Sequence, residues 1–289
     1  RVSAVLQVTQ SSDTVDANGA PATPEVVTAE MPHPDPWDAV VRTRDPLRPT
    51  AGTLLAISLT NATRLVGTGQ GERSDALGLY LAQWNGIGAV VVAQDRAAQN
   101  DGSELGPGAL RMARRGFALA VELRLPLITI VDTAGAELSV AAEQGGLAGE
   151  IARCLSELTT LPVPTVSVLL GMGCGGGALA LLPADRVVAA AHAWVSPLPL
   201  EGASVIRYRT PDRAADMARS QRVAAWQLAE SGIVDVVVPE YPDAAQEPEE
   251  FCRRVSDTVS TALADLIRSD EVTRLSTRTA RYRGGLDVD

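Results

Sequence analysis

The chain has 289 residues, 46% of them hydrophobic and only 3% aromatic, so it can bury a sizeable core built of Ala, Val and Leu. Its formal net charge of −10 argues against a nucleic-acid backbone as partner, because such sites need a basic surface. All 25 basic residues are arginines, which excludes a lysine nucleophile, a Schiff base and a P-loop lysine in this chain.

Histidine and cysteine usage limits the metal and redox chemistry available to the chain. The two histidines, His33 and His192, are too few for a histidine-rich metal site. Cys154, Cys174 and Cys252 are widely spaced and odd in number, so they form neither a zinc-binding pattern nor a disulfide framework. We therefore predict no bound metal and a reducing, cytoplasmic location.

The first segment, residues 1–34, differs from the rest of the chain. It is rich in Ser, Thr, Pro and Asn and lacks a sustained apolar period, which predicts a linker ahead of a folded domain over 35–289. It carries no basic-plus-apolar signal peptide. Because the sequence starts with Arg1 rather than Met, we expect a fragment or the second half of a longer polypeptide.

Apolar runs and helical spacings alternate along the remaining chain. Continuous runs of Val, Ile and Leu predict strands at 54–60, 88–95, 126–135, 163–171, 186–196 and 233–240. Helical spacing predicts helices at 109–124, 141–160, 178–182, 212–219, 222–231 and 251–271. This alternation is typical of an α/β fold with a mostly parallel sheet, and periodicity does not decide between a doubly wound sheet and stacked ββα turns.

A long uncharged segment runs from Leu158 to Ala184. A membrane-spanning helix needs ~20 mostly apolar residues. Here Pro162, Pro164, Pro183 and a glycine cluster would break such a helix repeatedly. The segment therefore predicts a buried strand, a loop and a buried helix, and no membrane association.

The glycine cluster lies in the stretch LGMGCGGGALALL (170–182), which predicts a strand, a glycine loop and a short helix. Its letters match the dinucleotide motif G-x-G-x-x-G, but it lies past the middle of the chain and no acid follows at the end of the next strand. Cys174 resembles a distorted nucleophile elbow with His192 as base, although a small buried cysteine is the commoner outcome.

Two further interpretations of this stretch remain open. Glycines let the backbone approach a ligand, and a helix that starts there aims free N–H groups at it, which would form an oxyanion hole. The alternative is a tight strand-to-helix turn with no ligand.

A second turn, DTAGAEL (132–138), also follows a predicted strand. Asp132 is a candidate catalytic acid, but an Asp–Thr pair before a turn more often caps backbone N–H groups. Gly135 and Ala136 would offer main-chain donors beside the glycine loop. Because ligands gather at strand ends in α/β sheets, we expect the two turns to form two walls of one site.

A third segment, WVSPLPLEGASVIRYRT (194–210), predicts an extended loop at its two prolines and then a helix starting near Gly202. Glu201 is a candidate acid or base, or it compensates the helix dipole. Arg207 and Arg209 either bind an anionic substrate or are solvated.

Several stretches together resemble the α-type half of acetyl-CoA carboxylase carboxyltransferase. They are PLITIVDTAGAELSVAAEQGGLAGEIARCL, VPTVSVLLGMGCGGGALALLPADRVVA and AWVSPLPLEGASVI, with WDAVVRTRDPLRPTA (37–51) and GERSDALG (71–78) ahead of them. The resemblance covers roughly 37–268. The family's S-P-E-G is here S-P-L-P-L-E-G (196–202), with three residues inserted. Residues 1–34 fall outside it and would be the tail of an upstream β-type half.

The resemblance implies a crotonase-like spiral of ββα units, with the active site shared between an α-type and a β-type half. The expected cofactor is carboxybiotin on a biotin carboxyl carrier protein. By the match, Gly176 and Gly177 hold the biotin urea oxygen, Gly175 and Gly202 also contact the cofactor, and Gly135 and Ala136 line the opposite wall.

The resemblance implies transfer of a carboxyl group to acetyl-CoA, giving malonyl-CoA for fatty-acid synthesis. The implied partners are the β-type half, the carrier protein, biotin carboxylase and acyl-CoA, in an oligomer. A propionyl-CoA or other acyl-CoA carboxylase and a non-catalytic subunit with the same fold are the alternatives. A crotonase-type hydratase would need two carboxylates, Glu143 and Glu201, and a hydrolase would use Cys174.

Overall fold

The computed structural model describes residues 34–283. The predicted linker (apart from Pro34) and His33 lie outside the described residues. The helices are α1 (Pro36–Thr43), α2 (Ala51–Ser58), α3 (Arg96–Asn100), α4 (Pro107–Leu123), α5 (Val140–Gln144), α6 (Leu147–Thr160), α7 (Gly175–Leu179), α8 (Leu200–Tyr208), α9 (Ala214–Ser220), α10 (Ala225–Glu230), α11 (Pro248–Arg268) and α12 (Glu271–Arg283). The strands are β1 (Leu59–Leu65), β2 (Leu77–Trp84), β3 (Ile87–Gln94), β4 (Leu127–Thr133), β5 (Thr165–Cys174), β6 (Arg186–Ala190), β7 (Trp194–Ser196) and β8 (Val236–Val238).

The strands form one mixed sheet in the order β1-β2-β3-β4-β5-β6-β8, with β7 paired to the end of β5. The pairs β1–β2 and β2–β3 are antiparallel, and every pair from β3 onward is parallel. Every residue of β4 is buried, as expected for a strand covered on both faces. The predicted α/β class with a mostly parallel sheet is confirmed.

The first predicted strand, 54–60, was largely wrong. Ala51, Leu54, Leu55 and Ser58 are the buried residues of α2, and their spacing is that of a helix face. The apolar run is therefore helical as far as Ser58, and the chain becomes extended only at Leu59.

Two predicted elements are each divided in the structure. The helix expected at 141–160 is α5 followed by α6, because Gly146 adopts a φ of 85° between them, a conformation that favours glycine. The strand expected at 186–196 is β6 followed by β7, since the chain turns after Ala190 and β7 pairs with β5 instead.

Helix α12 was not predicted, because it is polar and lacks a wide apolar face. Buried Arg278 fixes it to the sheet by donating to both oxygens of buried Asp185, at 2.8 and 2.7 Å. Asp185 also accepts the Thr165 N–H at the start of β5. Together with the Arg281–Asp235 pair and the bond from Arg274 to the Pro162 carbonyl, this polar contact holds the helix near the starts of β5 and β6.

Within residues 34–283, no helix has both the length and the apolar character that a membrane span requires. The uncharged segment from Leu158 to Ala184 forms the end of α6, the strand β5 and the short helix α7.

Candidate active site

The two predicted turns are brought together at the carboxyl ends of β4 and β5. These strands are parallel neighbours, and Thr133 at the end of β4 pairs with Gly173 near the end of β5. The carboxyl ends of parallel strands are where α/β sheets bind ligands. The two predicted turns therefore lie next to each other, and their role as two walls of one ligand site stays a prediction.

The glycine stretch does not form a loop. Gly171 and Gly173 lie within β5, where added side chains would collide with neighbours. A Cβ at Gly171 would lie 2.8 Å from the Asp132 Oδ1 atom, and one at Gly173 would lie 2.6 Å from the Trp194 carbonyl oxygen. These two glycines let Asp132 and strand β7 approach β5 closely.

The next three glycines form the turn into α7. Gly175 has a φ of 66°, and α7 begins at that residue rather than at the predicted Ala178. The N–H groups of Gly175, Gly176 and Gly177 lie in the first turn, where a helix leaves N–H groups without intrahelical partners. A Cβ on Gly177 would lie 3.2 Å from the Ala136 nitrogen, which shows how closely the two walls approach.

The turn at Gly135 and Ala136 offers one fewer free backbone N–H group than expected. The Gly135 N–H donates to the Thr133 hydroxyl at 3.1 Å, so it is already used within the turn. The Gly135 carbonyl accepts from Gln99 Nε2 at 3.0 Å, and a Cβ at Gly135 would lie 3.7 Å from Cys174 Sγ. Gly135 thus lies beside Cys174 and does not offer its N–H group to a ligand.

Buried polar side chains connect the strand ends. Gln94 donates to the Gly177 carbonyl at 2.7 Å and accepts the Asp132 N–H at 3.2 Å. Asp132 accepts the Met172 N–H at 3.1 Å and pairs with Arg96 Nε at 3.1 Å. Burial raises the pKa of the Asp132 carboxyl above its ordinary value, although Arg96 beside it favours the charged form. Within the Asp–Thr pair, Thr133 caps the turn by accepting the Gly135 N–H, whereas Asp132 accepts an N–H from the neighbouring strand.

A cavity of about 410 Å³ opens at these strand ends. It is lined by residues from six segments: Arg44, Arg96, Asn100, Ala134, Met172, Cys174, Trp194, Pro199, Leu200 and Glu201. Gly202 follows Glu201 in the first turn of α8, which begins two residues before the predicted start. Arg96 was not predicted from the sequence, although its place directly after a predicted strand is a signal that would have indicated it.

Comparison with known proteins identifies the family. The model of the acetyl co-enzyme A carboxylase carboxyltransferase-like family matches residues 23–285. The chain belongs to this carboxyltransferase family. It is 35% identical over 254 residues to the acetyl-coenzyme A carboxylase carboxyl transferase subunit alpha of Rhodospirillum centenum, covering 86% of this chain and 80% of that one.

Another relative is more similar in sequence to this carboxyltransferase-family chain and is longer than it. The probable biotin-dependent acyl-coenzyme A carboxylase beta3 subunit of Mycobacterium tuberculosis is 52% identical over 264 residues. The match covers 91% of this chain and 52% of the relative. The chain thus spans about half the length of that protein.

Solved structures show the fold of this carboxyltransferase-family chain. The transcarboxylase 12S structure matches with a TM-score of 0.64 and 21% identity, covering 79% of this chain and 44% of that one. A subunit of the Pseudomonas malonate decarboxylase hetero-tetramer matches with a TM-score of 0.58 and 20% identity, covering 82% and 97%. The crotonase-like fold that the resemblance implied is confirmed.

Among the carboxylates and arginines proposed for other roles, Glu201 lines the cavity, and the others do not. Glu143 is exposed on α5 and does not line it, while Glu201 pairs with Arg44 at 2.8 Å. Arg207 and Arg209 are exposed at the end of α8. The geometry therefore gives no support to the hydratase hypothesis, which needs Glu143 and Glu201 together.

His192 belongs to a buried ion-pair network rather than to a catalytic pair with Cys174. Its Nδ1 atom lies 2.8 Å from Glu240 Oε2, and Arg48 donates to both Glu240 oxygens at 2.7 and 2.8 Å. His192, Glu240 and Asp243 are close enough to hold a metal ion, but the Arg48 guanidinium already contacts the two carboxylates. We interpret the group as structural.

Cys174 has the properties of a packed core residue. Its side chain is buried in a cluster with Val40, Trp194 and Leu200, and burial raises the pKa of its thiol to about 11. The thiolate is the nucleophilic form of cysteine, so this thiol is poorly suited to attack a substrate at neutral pH.

We expect all three cysteines to resist thiol reagents in the folded protein. Burial also raises the pKa of Cys154 and Cys252 to about 12, so each thiol is both shielded and protonated at pH 7.5. Reaction with a chromogenic disulfide reagent should be slow in buffer and release three equivalents in denaturant. Rapid labelling of one equivalent, absent from a Cys174→Ala variant, would restore the nucleophile hypothesis.

Proposed function

We propose that the chain is the α-type carboxyltransferase half of a biotin-dependent acyl-CoA carboxylase. The observation that carries the proposal is the meeting of two turns poor in side chains, Gly175–Gly177 and Gly135–Ala136, at the ends of β5 and β4. The match to an α-type subunit over 80% of that subunit's length supports the assignment.

Carboxybiotin, when bound, supplies the carboxyl group that the reaction transfers. Ile151 and Leu105 fill the space that a Cβ on Gly176 or Gly177 would take, so we propose that the ring approaches the N–H groups at the start of α7 instead. We assign the N–H groups of Gly176 and Gly177 to the urea oxygen of biotin, where each such donor contributes roughly 2.7–4 kcal/mol to transition-state stabilisation. Gly202 in α8 and the wall of Gly135 and Ala136 complete the proposed site. This role needs no ionisable side chain.

For the acyl substrate we propose acetyl-CoA, giving malonyl-CoA for fatty-acid synthesis. A longer acyl group, as in a propionyl-CoA carboxylase, is a second candidate with its own support. Pro199 and Leu200, two of the three residues inserted into the family's S-P-E-G motif, line the cavity. The relative with 52% identity is also named for an acyl-CoA rather than for acetyl-CoA.

The proposed partners follow from the length of the relatives. A protein of Parafrankia named as carboxyl transferase subunits beta/alpha is 37% identical over 257 residues, and the match covers 42% of it. We therefore propose a β-type half that binds acyl-CoA, either fused or separate. The biotin carboxyl carrier protein and biotin carboxylase would complete an oligomeric complex.

The proposal predicts carboxyl transfer when the chain is assembled with a β-type half. In the reverse direction, the complex should decarboxylate malonyl-CoA only when a biotin derivative is present, because the carboxyl group needs an acceptor. Comparison of malonyl-CoA with methylmalonyl-CoA in the same assay measures acyl preference. Absence of biotin-dependent decarboxylation of either thioester would contradict the proposed activity.

A further inference from the structure

Arg96 is a buried cation whose terminal nitrogens are not satisfied by the protein. The residue is 5% exposed, and its Nε–H is shared between the two oxygens of Asp132. Among residues 34–283, neither Nη1 nor Nη2 has a hydrogen-bond partner, and Nη2 is fully buried. A buried donor without a hydrogen-bond partner is unfavourable and rare in folded proteins, so such groups call for an explanation.

The position of Arg96 separates it from other buried arginines. Arg48 leaves only Nε without a partner, and Nη2 of Arg274 donates to the Pro162 carbonyl, whereas Arg96 leaves both nitrogens that form the flat fork of the guanidinium. Arg96 also lines the 410 Å³ cavity at the strand ends. Because Nη1 is not among the fully buried atoms, this nitrogen keeps access from the cavity, whereas Nη2 beside it is covered.

The chemistry of this fork selects the ligand. A guanidinium binds a carboxylate through two parallel N–H···O bonds, a geometry that a single charged nitrogen does not reproduce. The surrounding cavity supplies few competitors, since the Glu201 carboxylate that also lines it pairs with Arg44. Among the nitrogens of Arg96, Asp132 accepts only from Nε, so Nη1 and Nη2 are not bonded to it.

We propose that Arg96 binds a carboxylate in this cavity, and that in the complete enzyme this is the carboxyl group being transferred. The identity of the ligand rests on the proposed function, whereas the carboxylate site rests on Arg96 and the cavity alone. The carboxylate would come from the carboxylated acyl thioester or from carboxybiotin, and both present the same group to the fork.

Binding of malonate to the full chain tests the site directly, by calorimetry or by NMR. Removing Arg96 alone would leave Asp132 buried without its cation, so the comparison uses an Asp132→Asn background. The Asp132→Asn variant should bind malonate at least as tightly as the parent chain, because the fork loses its neighbouring anion. The Arg96→Gln/Asp132→Asn variant should bind malonate about 10-fold or more weakly, as expected for loss of a charge-assisted pair.

A matched control removes the same charge from the rim of the cavity. Arg44→Gln/Asp132→Asn should change malonate affinity less than threefold, because Arg44 is 38% exposed and paired with Glu201. Equal losses in the two double variants would overturn the assignment to Arg96. Absence of malonate binding to the Asp132→Asn variant at tens of millimolar would overturn the site itself.

Thioester binding to the assembled complex then distinguishes the two sources of carboxylate. If the thioester is the source, loss of Arg96 weakens the binding of malonyl-CoA but not the binding of acetyl-CoA. If carboxybiotin is the source, malonate binding depends on Arg96, while the affinities for the two thioesters change equally. Either pattern supports the proposal. Malonate binding is measured without turnover, so failure of the carboxyltransferase assay and failure of this site are separate results.

Discussion

Gly177→Ala in the assembled carboxyltransferase should lower the rate of carboxyl transfer about 100-fold while leaving the chain folded. The added Cβ would lie 2.7 Å from Leu105 Cδ2 and 3.2 Å from the Ala136 nitrogen. Leu105 is a side chain that can move, but Ala136 is backbone, so the two walls must separate by a few tenths of an ångström. Displacing an oxyanion donor costs roughly 10²–10³ in rate.

A double variant distinguishes donor placement from packing. Leu105→Val removes the Cδ2 atom that the new methyl group meets and leaves the contact with Ala136 in place. Gly177→Ala/Leu105→Val should therefore keep the low transfer rate of Gly177→Ala, and each rate is compared with that of Leu105→Val alone. Recovery to the rate of Leu105→Val would show that Gly177 serves packing only.

Gly149→Val is the matched glycine control. Gly149 is exposed in α6, where a Cβ would meet nothing closer than the Arg153 side chain at 3.4 Å. This variant should transfer carboxyl groups at close to the parent rate. Full activity in Gly177→Ala as well would favour the alternative of a non-catalytic subunit that retains the fold.

Glu240→Gln should destabilise the chain by about 3–5 kcal/mol at pH 7, the range measured when one partner of a buried ion pair is removed. The variant leaves the buried Arg48 guanidinium without its anion, and weakens the contacts to His192 and to the Ala244 N–H. Denaturant unfolding of the parent and variant chains measures the difference. Glu249→Gln, on an exposed pair with Arg253, is the control and should cost less than about 0.5 kcal/mol.

The pH dependence of this difference follows from the direction of the pKa shift. Burial raises the pKa of Glu240, but hydrogen bonds from Arg48 and His192 outweigh it and hold the pKa well below its ordinary value. A depressed carboxyl pKa stabilises the folded state at neutral pH, and this contribution is lost as pH falls through and below about 4.5. The difference in free energy of unfolding between the parent and Glu240→Gln should therefore become smaller as the pH falls. A difference that stays constant with pH would contradict the lowered pKa of Glu240.

The central strands were predictable because burial on both faces leaves a continuous apolar run, as in β4 and β5. Periodicity failed where tertiary contacts decide the conformation. The apolar run at 54–60 is compatible with a buried strand or a buried helix. Packing against the rest of the protein makes the residues up to Ser58 helical. Helix α12 is held by charge pairs with residues distant in the sequence, Arg278 with Asp185 and Arg281 with Asp235, which no local pattern reveals.

The candidate site was predictable in outline and not in detail. Glycine content and strand ends indicated both turns, since those signals are local. Two of the five glycines, Gly171 and Gly173, instead allow Asp132 and β7 to pack closely against β5. The Gly135 N–H donates to the Thr133 hydroxyl. The buried network of Gln94, Arg96 and Asp132 joins residues far apart in the sequence, so its geometry required the folded chain.

The contact between Gly171 and Asp132 has a consequence for anyone who builds variant libraries of this protein. A side chain at position 171 requires a shorter group at 132, and a shorter group at 132 removes the anion that faces Arg96. Positions 96, 132 and 171 therefore constitute one combinatorial choice rather than three. Libraries that vary them singly would miss the combinations that function together.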